Sequence, residues 1–382
     1  MGARPERPPE DSNRLPPRFP VHSAAMDSDR PARDTTPPLV WLLQGRKAGD
    51  NAQLEAVAEA LGRVRPCRTE RVPLSFVGHE LAVNLFLGVS LRGLEADARA
   101  RIVPPWPDLI LTAGRRNEPV ARWIQRAHRG RTRLVHLGRP WARPDRFDLV
   151  VTTPQYFLDS RRWTNVLTLP LPPVPAAPDT GKRPAGPLLL LVGGDSGSKV
   201  VDLPFAQATL AASATLAAER GTGLRVTTSP RTPRAVEDAL VRAAADVAAE
   251  CFPWHARAGA ENPYRRWLAE ASGVVVTADS ISMVAEAAAG GAALWIARLP
   301  AAERPWWLTR RGWRWRSATH ELAQRLAPRR FRRDTERLLE ALVASGRARW
   351  LEDGDGAPDR ALRATETDAS RAARAVAGLL PG

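Results

Sequence analysis

The fold of this chain is decided by NPYRRWLAEASG at residues 262–273 and by VVVTADSISMVAEA, which follows at residues 274–287. The first string predicts a short helix, the valines predict a buried strand, and the polar turn after them opens a second helix. A helix that begins just after a strand presents unpaired backbone N–H groups and the positive end of its dipole to an anion. Glu286 lies seven residues beyond Asp279, about two helical turns, so it can reach ligand hydroxyls beside such an anion.

The same alternation of apolar runs and helical patterns recurs along the chain. Apolar runs predict strands at residues 39–43, 109–111, 134–137, 149–151, 188–192, 224–228, 274–276 and 293–296. Strands that alternate with helices form parallel sheets with right-handed crossovers. The sequence therefore predicts an α/β protein with two doubly wound, Rossmann-type parallel-sheet domains that face each other across a cleft.

Composition divides the chain into parts. Residues 1–37 are rich in proline and arginine and lack apolar periodicity, which predicts a disordered tail. A proline-rich stretch at residues 171–186 predicts a stiff linker between an N-terminal domain at 38–170 and a C-terminal domain at 187–320. Residues 321–382 predict C-terminal helices.

Length and cysteine content limit the class of protein. The chain has 382 residues, 44% of them hydrophobic, which suits two packed cores. Its two cysteines, Cys67 and Cys251, lack metal-ligand spacing, so we expect neither a disulfide framework nor a metal site. No run approaches the ~18 apolar residues of a transmembrane helix, and the N-terminus lacks the apolar core of a signal peptide. These features predict a cytoplasmic protein.

The net charge of +15 comes almost entirely from arginine. Such a charge attracts anionic partners, including phosphates and anionic lipids. The basic residues are dispersed and no recognition module is visible, so we expect no specific nucleic-acid partner. The tryptophan- and arginine-rich segment at residues 304–316 has two interpretations. Either it lies in a membrane interface, which would make the protein peripheral to the inner membrane, or its indoles pack against the C-terminal helices, which we favour.

Two loops of the predicted first domain are candidates for an acceptor or phosphate site. The first contains Gly45, Lys47, Gly49, Asp50 and Asn51. Its glycines permit close backbone approach, while Lys47 and Asp50 can handle an acceptor's phosphate and proton. A tight turn with Asp50 or Asn51 as helix N-cap explains the same residues equally well.

The second loop contains Gly114, Arg115 and Arg116. It places two guanidinium groups after a strand, where they suit bidentate phosphate binding. Solvated arginines at a helix start are the alternative, although cations there oppose the helix dipole.

Three loops of the predicted second domain converge at one sheet edge. They contribute Gly193, Gly194, Ser196, Thr228, Ser229, Arg231, Asp279, Ser280, Ser282 and Met283. Ligands of open α/β sheets bind beyond the carboxyl ends of the strands, so we expect a nucleotide-like ligand here. Ser229 and Arg231 would bind its phosphate or ribose oxygens. Helix capping is the alternative for Ser229 and Asp279.

Further strings complete a pattern that resembles a known family. In chain order they are QGRKAGDNAQ at 44–53, PWPDLI at 105–110, GRRN at 114–117, RFDLVV at 146–151, LVGGDS at 191–196 and TTSPRTP at 227–233. With residues 262–287 they resemble the bacterial relatives of the elongated-mitochondria fission proteins, whose architecture is similar to that of GT-B glycosyltransferases. The resemblance covers roughly residues 39–300, and the chain departs from the family's pattern at residues 136–140 and after Gly194.

The resemblance implies a glycosyltransferase that uses a nucleotide-sugar as substrate, needs no further cofactor, and acts on an envelope or lipid-linked acceptor. The donor would lie on the second domain, with its diphosphate on the N–H groups of Gly193, Gly194 and the helix start near Ser280. Glu286 would hold ribose or sugar hydroxyls, and Asp50 is the candidate base. The last helix of such proteins crosses back to the first domain, which we expect here. The alternative is a non-catalytic adaptor on the same scaffold.

Overall fold

A computed structural model of the chain describes residues 36–77, 89–175, 186–196, 199–257, 259–300, 326, 328, 331–354 and 366–381. The predictions for the N-terminal tail before residue 36, for most of the linker and for the segment at 304–316 lie outside these described residues.

The first sheet contains six parallel strands in the order β2-β1-β3-β4-β5-β6. The strands are β1 (Leu39–Gln44), β2 (Arg68–Pro73), β3 (Leu109–Ala113), β4 (Arg133–Leu137), β5 (Leu149–Thr152) and β6 (Val166–Thr168). Helix α1 (Ala48–Val64) follows β1, α2 (Ala96–Ala100) precedes β3, and α3 (Glu118–Ala127) follows β3. Because β2 and β3 lie on opposite sides of β1, the strand order reverses between β1 and β3.

The second sheet also contains six parallel strands, in the order β12-β11-β10-β7-β8-β9. The strands are β7 (Gly186–Leu191), β8 (Leu224–Thr227), β9 (Glu250–Phe252), β10 (Ala271–Thr277), β11 (Ala293–Ala297) and β12 (Arg349–Trp350). The helices are α4 (Leu203–Glu219), α5 (Arg234–Asp246), α6 (Tyr264–Glu270), α7 (Ile281–Ala289), α8 (Thr335–Ala344) and α9 (Asp368–Ala377). Counted within this sheet, the order is the 3-2-1-4-5-6 arrangement of dinucleotide-binding folds, and it reverses between β7 and β10.

Both sheets are buried on both faces, which explains the continuous apolar runs. In β1, Val40 and Leu42 pack into one core cluster while Trp41 and Leu43 pack into another on the opposite face. In β7 the same alternation sends Leu189 and Leu191 to one side and Leu188 and Leu190 to the other. Parallel strands covered on both sides need apolar residues at every position. The prediction of two doubly wound, Rossmann-type parallel sheets is confirmed, and the architecture is GT-B-like.

The C-terminal helices pack on different sheets. Helix α8 buries Leu338, Leu339 and Leu342 in a core cluster of the second sheet. Helix α9 buries Ala372 and Ala373 in a core cluster of the first sheet, together with residues of α1. Just before α8 the chain passes the first sheet again, where Tyr156 and Arg333 form an isolated antiparallel bridge. Within the described residues, no helix is long and apolar enough to cross a membrane.

Candidate functional site

Each sheet has one point where its strand order reverses, and the predicted site residues lie at these two points. In the second sheet the loops after β7 and β10 carry Gly193, Gly194 and the start of α7. In the first sheet the loop after β1 leads to Asp50 in the first turn of α1, and the loop after β3 carries Arg115. The carboxyl ends of parallel strands flank a crevice at such a reversal, which is where ligands of open α/β sheets bind.

A buried polar network closes the turn after β7. The backbone N–H of Gly193 donates to Oγ1 of Thr277 at 2.8 Å, and the N–H of Gly194 donates to Oδ2 of Asp279 at 2.9 Å. Thr277 in turn donates its hydroxyl to Oδ1 of Asp279 at 2.6 Å. In this structure both glycine N–H groups are therefore used inside the protein and do not point at a ligand.

Neighbouring protein atoms also leave no room for a side chain at either glycine. A Cβ on Gly193 would lie 2.1 Å from Oδ2 of Asp279, and a Cβ on Gly194 would lie 2.1 Å from the carbonyl carbon of Arg231. Side-chain and main-chain atoms of neighbouring loops fill the space that a ligand would need. The pair Gly193-Gly194 thus packs the β7 turn against two other loops.

Asp279 is held by several partners, and its carboxylate is inaccessible. Nη2 of Arg231 lies 3.0 Å from its Oδ2, and the Asp279 side chain is 0% exposed whereas that of Arg231 is 40% exposed. Burial raises the pKa of Asp279, while hydrogen bonds from Thr277 and Gly194 and the charge of Arg231 act to lower it. Asp279 therefore fixes the turn and orients Arg231, whose exposed guanidinium is the part that faces the solvent.

The hydroxyl groups of the loop after β8 are also engaged. Thr228 donates to the buried Glu237 at 2.5 Å, and Oγ of Ser229 lies 3.1 Å from Oγ1 of Thr232. Ser196, in the loop after β7, forms an isolated bridge with Lys199. Each of these contacts lies within one loop or joins it to the helix that follows. The three loops are joined by Arg231, whose guanidinium donates to the carbonyl of Gly194 and pairs with Asp279.

The start of α7 is different, because its backbone donors have no side-chain cap. Ser280 occupies the N-cap position without a side-chain cap hydrogen bond. Ser282 is exposed and Met283 is half-buried in the first helical turn. The first N–H groups of a helix have no partner within the helix. An anion can therefore approach this end of α7, where the dipole also favours negative charge.

Glu286 is half-buried and lies further along α7. Tyr264, which is not among the predicted site residues, positions its carboxylate. The hydroxyl of Tyr264, the first residue of α6, donates to Oε2 of Glu286 at 2.6 Å. Burial, and after it the negative charge of Glu286, raises the pKa of Tyr264 strongly, so Tyr264 keeps its proton and acts as the donor. The second carboxylate oxygen of Glu286 remains able to accept a hydroxyl of a ligand.

In the first sheet the loop after β1 is tied to itself and to the next loop. Asn51 accepts from the N–H of Gly45 and donates to its carbonyl, both at 2.9 Å. Asn117, after β3, donates to the carbonyl of Leu43 at 2.9 Å. Lys47 is the N-cap residue of α1 and makes no side-chain cap hydrogen bond. Asn51 thus braces the loop, but the alternative of Asp50 or Asn51 as helix N-cap is wrong, because both residues lie in the first turn of α1.

Asp50 lies against the second loop. A Cβ on Gly114, which has φ +76°, would lie 3.1 Å from Oδ2 of Asp50, so this glycine both turns the chain and makes room for the carboxylate. Burial raises the pKa of Asp50, although Lys47 and Arg333 act to lower it. A carboxylate whose pKa is shifted towards neutrality and which faces a crevice is suited to accept a proton.

An open cavity adjoins the same loop. It has a volume of about 640 Å³, and Gly45, Asn51, Phe76, Glu95 and Arg101 are among the residues that line it. It lies at the carboxyl ends of β1 and β2, on the far side of the loop from β3. This cavity offers room for a substrate beside the first sheet.

The two sets of loops face each other. A Cβ on Gly49, in the first turn of α1, would lie 3.8 Å from Oγ of Ser282 in the first turn of α7. The crevice of one sheet therefore opens towards the crevice of the other. Among the described residues, no group of three or more histidine, cysteine, aspartate or glutamate side chains is arranged to hold a metal ion.

Several residues of the site could not be found by reading loops alone. Thr277 completes the β7 turn, Tyr264 orients Glu286, Arg333 lies near Asp50, and Arg139 lies near Arg333. Tyr264 lies in the string at residues 262–273 that predicts the fold. Its spacing from Glu286 in the sequence does not indicate that the two side chains meet.

Solved structures with a similar chain path are remote in sequence. One is AviGT4, a glycosyltransferase involved in avilamycin A biosynthesis, with a TM-score of 0.43 and 14% identity over 90% of this chain and 97% of that one. Another is the UDP-GlcNAc 2-epimerase from Neisseria meningitidis bound to UDP-GlcNAc, with a TM-score of 0.42 and 10% identity over 89% of this chain and 98% of that one. The fold assignment depends on the strand order above and not on these similarities.

The comparison with curated proteins gave no match. The family described as Mitochondrial fission ELM1 matches residues 48–378, which include the C-terminal helix α9 and both sheets except β1. This match confirms the resemblance seen in the sequence strings, and it spans most of the chain. The chain belongs to the Mitochondrial fission ELM1 family.

Proposed function

We propose that this protein is a glycosyltransferase that binds a nucleotide-sugar on the second sheet and transfers its sugar to an acceptor on the first. The observation that carries the proposal is the uncapped start of α7 at the point where the strand order reverses, facing α1 across the crevice. A transferase needs its donor and acceptor sites to open towards each other, because the two substrates must react in contact.

The donor's diphosphate would bind at the start of α7. The N–H groups of Ser282 and Met283 and the dipole of the helix supply positive potential without any ionisable group. The guanidinium of Arg231, oriented by Asp279, lies on the neighbouring loop. These groups would stabilise the charge that develops on the leaving diphosphate as the glycosidic bond breaks.

Glu286 would select the sugar part of the donor. With Tyr264 donating to one carboxylate oxygen, the other oxygen is oriented to accept a hydroxyl of ribose or of the transferred sugar. Because the buried tyrosine already holds the carboxylate in one rotamer, the Glu286 side chain loses less conformational entropy when a ligand binds.

Asp50 would accept the proton of the acceptor hydroxyl. Its raised pKa places it nearer to the working pH than an exposed aspartate, which favours a general base. Asp50 lies beside Gly114, at the start of the loop after β3. An acceptor bound in this crevice would therefore reach the base and the donor sugar from the side of the first sheet.

The test is calorimetry of the full chain with a panel of nucleotides and nucleotide-sugars. We expect binding of at least one, and a Ser282→Glu variant should weaken it by roughly tenfold or more because a carboxylate then competes with the diphosphate at the helix start. Ser282→Gln, which adds the same bulk without the charge, should weaken it far less. Failure of every compound in the panel to bind at millimolar concentration would exclude the proposed activity.

A non-catalytic adaptor on the same scaffold is the second candidate. The observation that favours it is the internal use of the Gly193 and Gly194 N–H groups, which removes two donors expected of a diphosphate site. Asp279→Ala would not separate the candidates, because the carboxylate holds the turn in either case. Glu286→Gln keeps the shape of the side chain and removes its charge. A transferase should lose turnover in this variant, whereas an adaptor should retain its cellular function.

A further inference from the structure

Arginines from three separate segments gather at the carboxyl edge of the first sheet. Arg115 follows β3, Arg139 follows β4, and Arg333 lies in the segment that precedes α8 and bridges to Tyr156. We refer to Arg115, Arg139 and Arg333, with the rings of Trp141 and Tyr156, as the arginine cluster.

The two aromatic rings hold the guanidinium groups. The Cζ atoms of Arg139 and Arg333 lie 5.5 and 5.9 Å from the ring centroid of Tyr156. The Cζ atom of Arg115 lies 5.7 Å from the ring centroid of Trp141. Stacking on an aromatic face fixes the plane of a guanidinium while leaving its N–H groups available at the edge.

Two of these charges have no carboxylate partner among the described residues. Arg139 donates only to main-chain carbonyls, those of Phe331 and Arg332, the latter at 3.0 Å. Arg115 stacks on Trp141 and makes no hydrogen bond or ion pair within the described part of the chain. Burial lowers the pKa of both groups, and nearby arginines add to the effect. Arg115 and Arg139 therefore place positive charge here that no carboxylate of the described residues pairs with.

Arg225, which has a structural role, provides a comparison within the same protein. Its Cζ atom lies 5.2 Å from the ring centroid of Trp267, and its guanidinium pairs with Glu250 at 2.8 Å and Glu270 at 2.6 Å. The charge is thus neutralised within the fold. Arg115 and Arg139 share the stacking but have no carboxylate partner among the described residues, so their charge is available to an anion from outside the chain.

The arginine cluster adjoins the candidate base. Arg333 acts on the pKa of Asp50, and Asp50 lies against Gly114, the residue before Arg115. An anion on the cluster would therefore sit close to the carboxylate that we assign to the acceptor hydroxyl.

We propose that the arginine cluster binds a phosphate group of the acceptor, so that the acceptor is a phosphorylated molecule whose free hydroxyl reaches Asp50. The inference rests on the proposed function, since only a transferase has an acceptor. Guanidinium forks match the oxygens of a phosphate in bidentate geometry, and several of them can share one dianion. The phosphate belongs either to a lipid headgroup or to a soluble ester, which present the same chemistry to the cluster.

The test is calorimetry of the full chain with glycerol 3-phosphate as the probe, beside the nucleotide panel. Arg115→Gln and Arg139→Gln should each weaken binding of the probe by about tenfold or more, the effect of losing a charged hydrogen bond to phosphate. Both variants should leave nucleotide affinity within about twofold of the native value. Arg242→Gln, which removes the same charge from an exposed site on α5, should change neither.

Arg115→Gln is the decisive variant, because Arg115 makes no hydrogen bond within the described residues and its loss should leave the melting temperature unchanged. Native binding of the probe by a folded Arg115→Gln variant would overturn the inference, as would no binding of the probe by the native protein. If the probe binds as expected but no nucleotide does, the anion site stands and its assignment to an acceptor is overturned.

Vesicles separate the two sources of phosphate. Phosphatidylcholine vesicles that contain phosphatidic acid present the phosphate on a lipid. If Arg115→Gln reduces sedimentation with these vesicles well beyond the effect of Arg242→Gln, the result supports a lipid-linked acceptor. If the two variants bind vesicles equally while only Arg115→Gln loses glycerol 3-phosphate, the result supports a soluble phosphate ester.

Discussion

At Gly193 an added Cβ would lie 2.1 Å from one carboxylate oxygen of Asp279 and 2.4 Å from the other. Gly193→Ala therefore displaces a buried carboxylate that Gly194, Thr277 and Arg231 hold. We expect the free energy of unfolding to fall by roughly 3 kcal/mol, the scale on which breaking a buried charged network acts. Urea unfolding followed by circular dichroism measures the change.

The matched control is Gly62→Ala in α1. A Cβ at Gly62 meets no atom within 4 Å, and the residue is exposed within the helix. Alanine there should raise the free energy of unfolding by about 0.5–1 kcal/mol, because glycine loses more backbone entropy on folding. Equal effects of the two substitutions would contradict the packing described for the β7 turn.

Asp50 makes a prediction about pH. Its pKa in the folded state is raised above the ordinary value of 3.8, so the folded protein disfavours the charged form. The stabilising effect of a raised pKa is fully present below the unfolded value and is lost as pH rises through the folded value. Asp50→Asn, which imitates the protonated form, should therefore be more stable than the native protein at neutral pH.

The advantage of Asp50→Asn should shrink as the pH falls towards 3.8, since both forms then carry a neutral side chain. Urea unfolding at a series of pH values measures the difference. Asp238→Asn, at an exposed position of α5, is the control for the loss of a carboxylate. A lower stability of Asp50→Asn at neutral pH would mean that attraction to Lys47 and Arg333 outweighs the cost of burial. A stable variant without transferase activity would fit a base held at some cost to the fold.

At the scale of elements, burial decides which strands can be predicted from sequence. β1 and β7 are continuous apolar runs because both faces of their sheets are covered. β2 has the sequence RTERVP and buries only Val72, since it is the edge strand of its sheet. Nothing local in RTERVP distinguishes it from a loop. Its strand conformation depends on pairing with β1, as the edge strands β9 and β12 depend on β8 and β11.

Helix α9 packs against α1 through buried alanines, and we expect its position to depend on them. Ala373 is fully buried in the cluster that α9 shares with Leu54, Val57 and Leu61 of α1. Ala373→Glu should lower the free energy of unfolding by roughly 3 kcal/mol or more, because the fold offers the new charge no partner. Hydrogen exchange should then show lost protection in α9 and on the adjoining turns of α1.

Ala375→Glu provides the comparison on the same helix. Ala375 is half-buried and lies outside the core cluster, so the same substitution should change stability by no more than about 0.5 kcal/mol. Similar exchange rates in the two variants would show that α9 does not depend on the buried alanines for its contact with α1.

At the scale of the whole molecule, the sequence predicted which loops meet at each sheet edge but not the contacts that each group makes there. The rule that ligands bind beyond the ends of parallel strands led to the loops at Asp50, Gly193 and Ser280. The partner of the Gly193 N–H, however, is Thr277, which is 84 residues away in the chain. Likewise, Arg139 and Arg333 meet at Tyr156 only because the chain returns to the first sheet before α8. Such contacts follow from the assembled fold and leave no periodic signal.

The elements after the two sheets approach each other at Gly49 of α1 and Ser282 of α7. A Cβ on Gly49 would lie 3.8 Å from Oγ of Ser282, so cysteine side chains at these two positions would come within reach of each other. A variant with both Gly49→Cys and Ser282→Cys should therefore form a cross-link under mild oxidation. Peptide mass mapping identifies the bond and separates it from any pairing of the half-buried Cys67 and Cys251.

Because the cross-link would join α1 to α7 across the crevice, it should abolish nucleotide binding, and reduction should restore it. Gly62→Cys combined with Ser282→Cys is the control, since Gly62 lies about 20 Å along α1 from Gly49 and should form no bond. A folded Gly49→Cys, Ser282→Cys protein that stays reduced would contradict the approach of the two sheets at this point. A cross-linked protein that still binds nucleotide would instead place the donor outside the crevice, and the start of α7 would lose its proposed role.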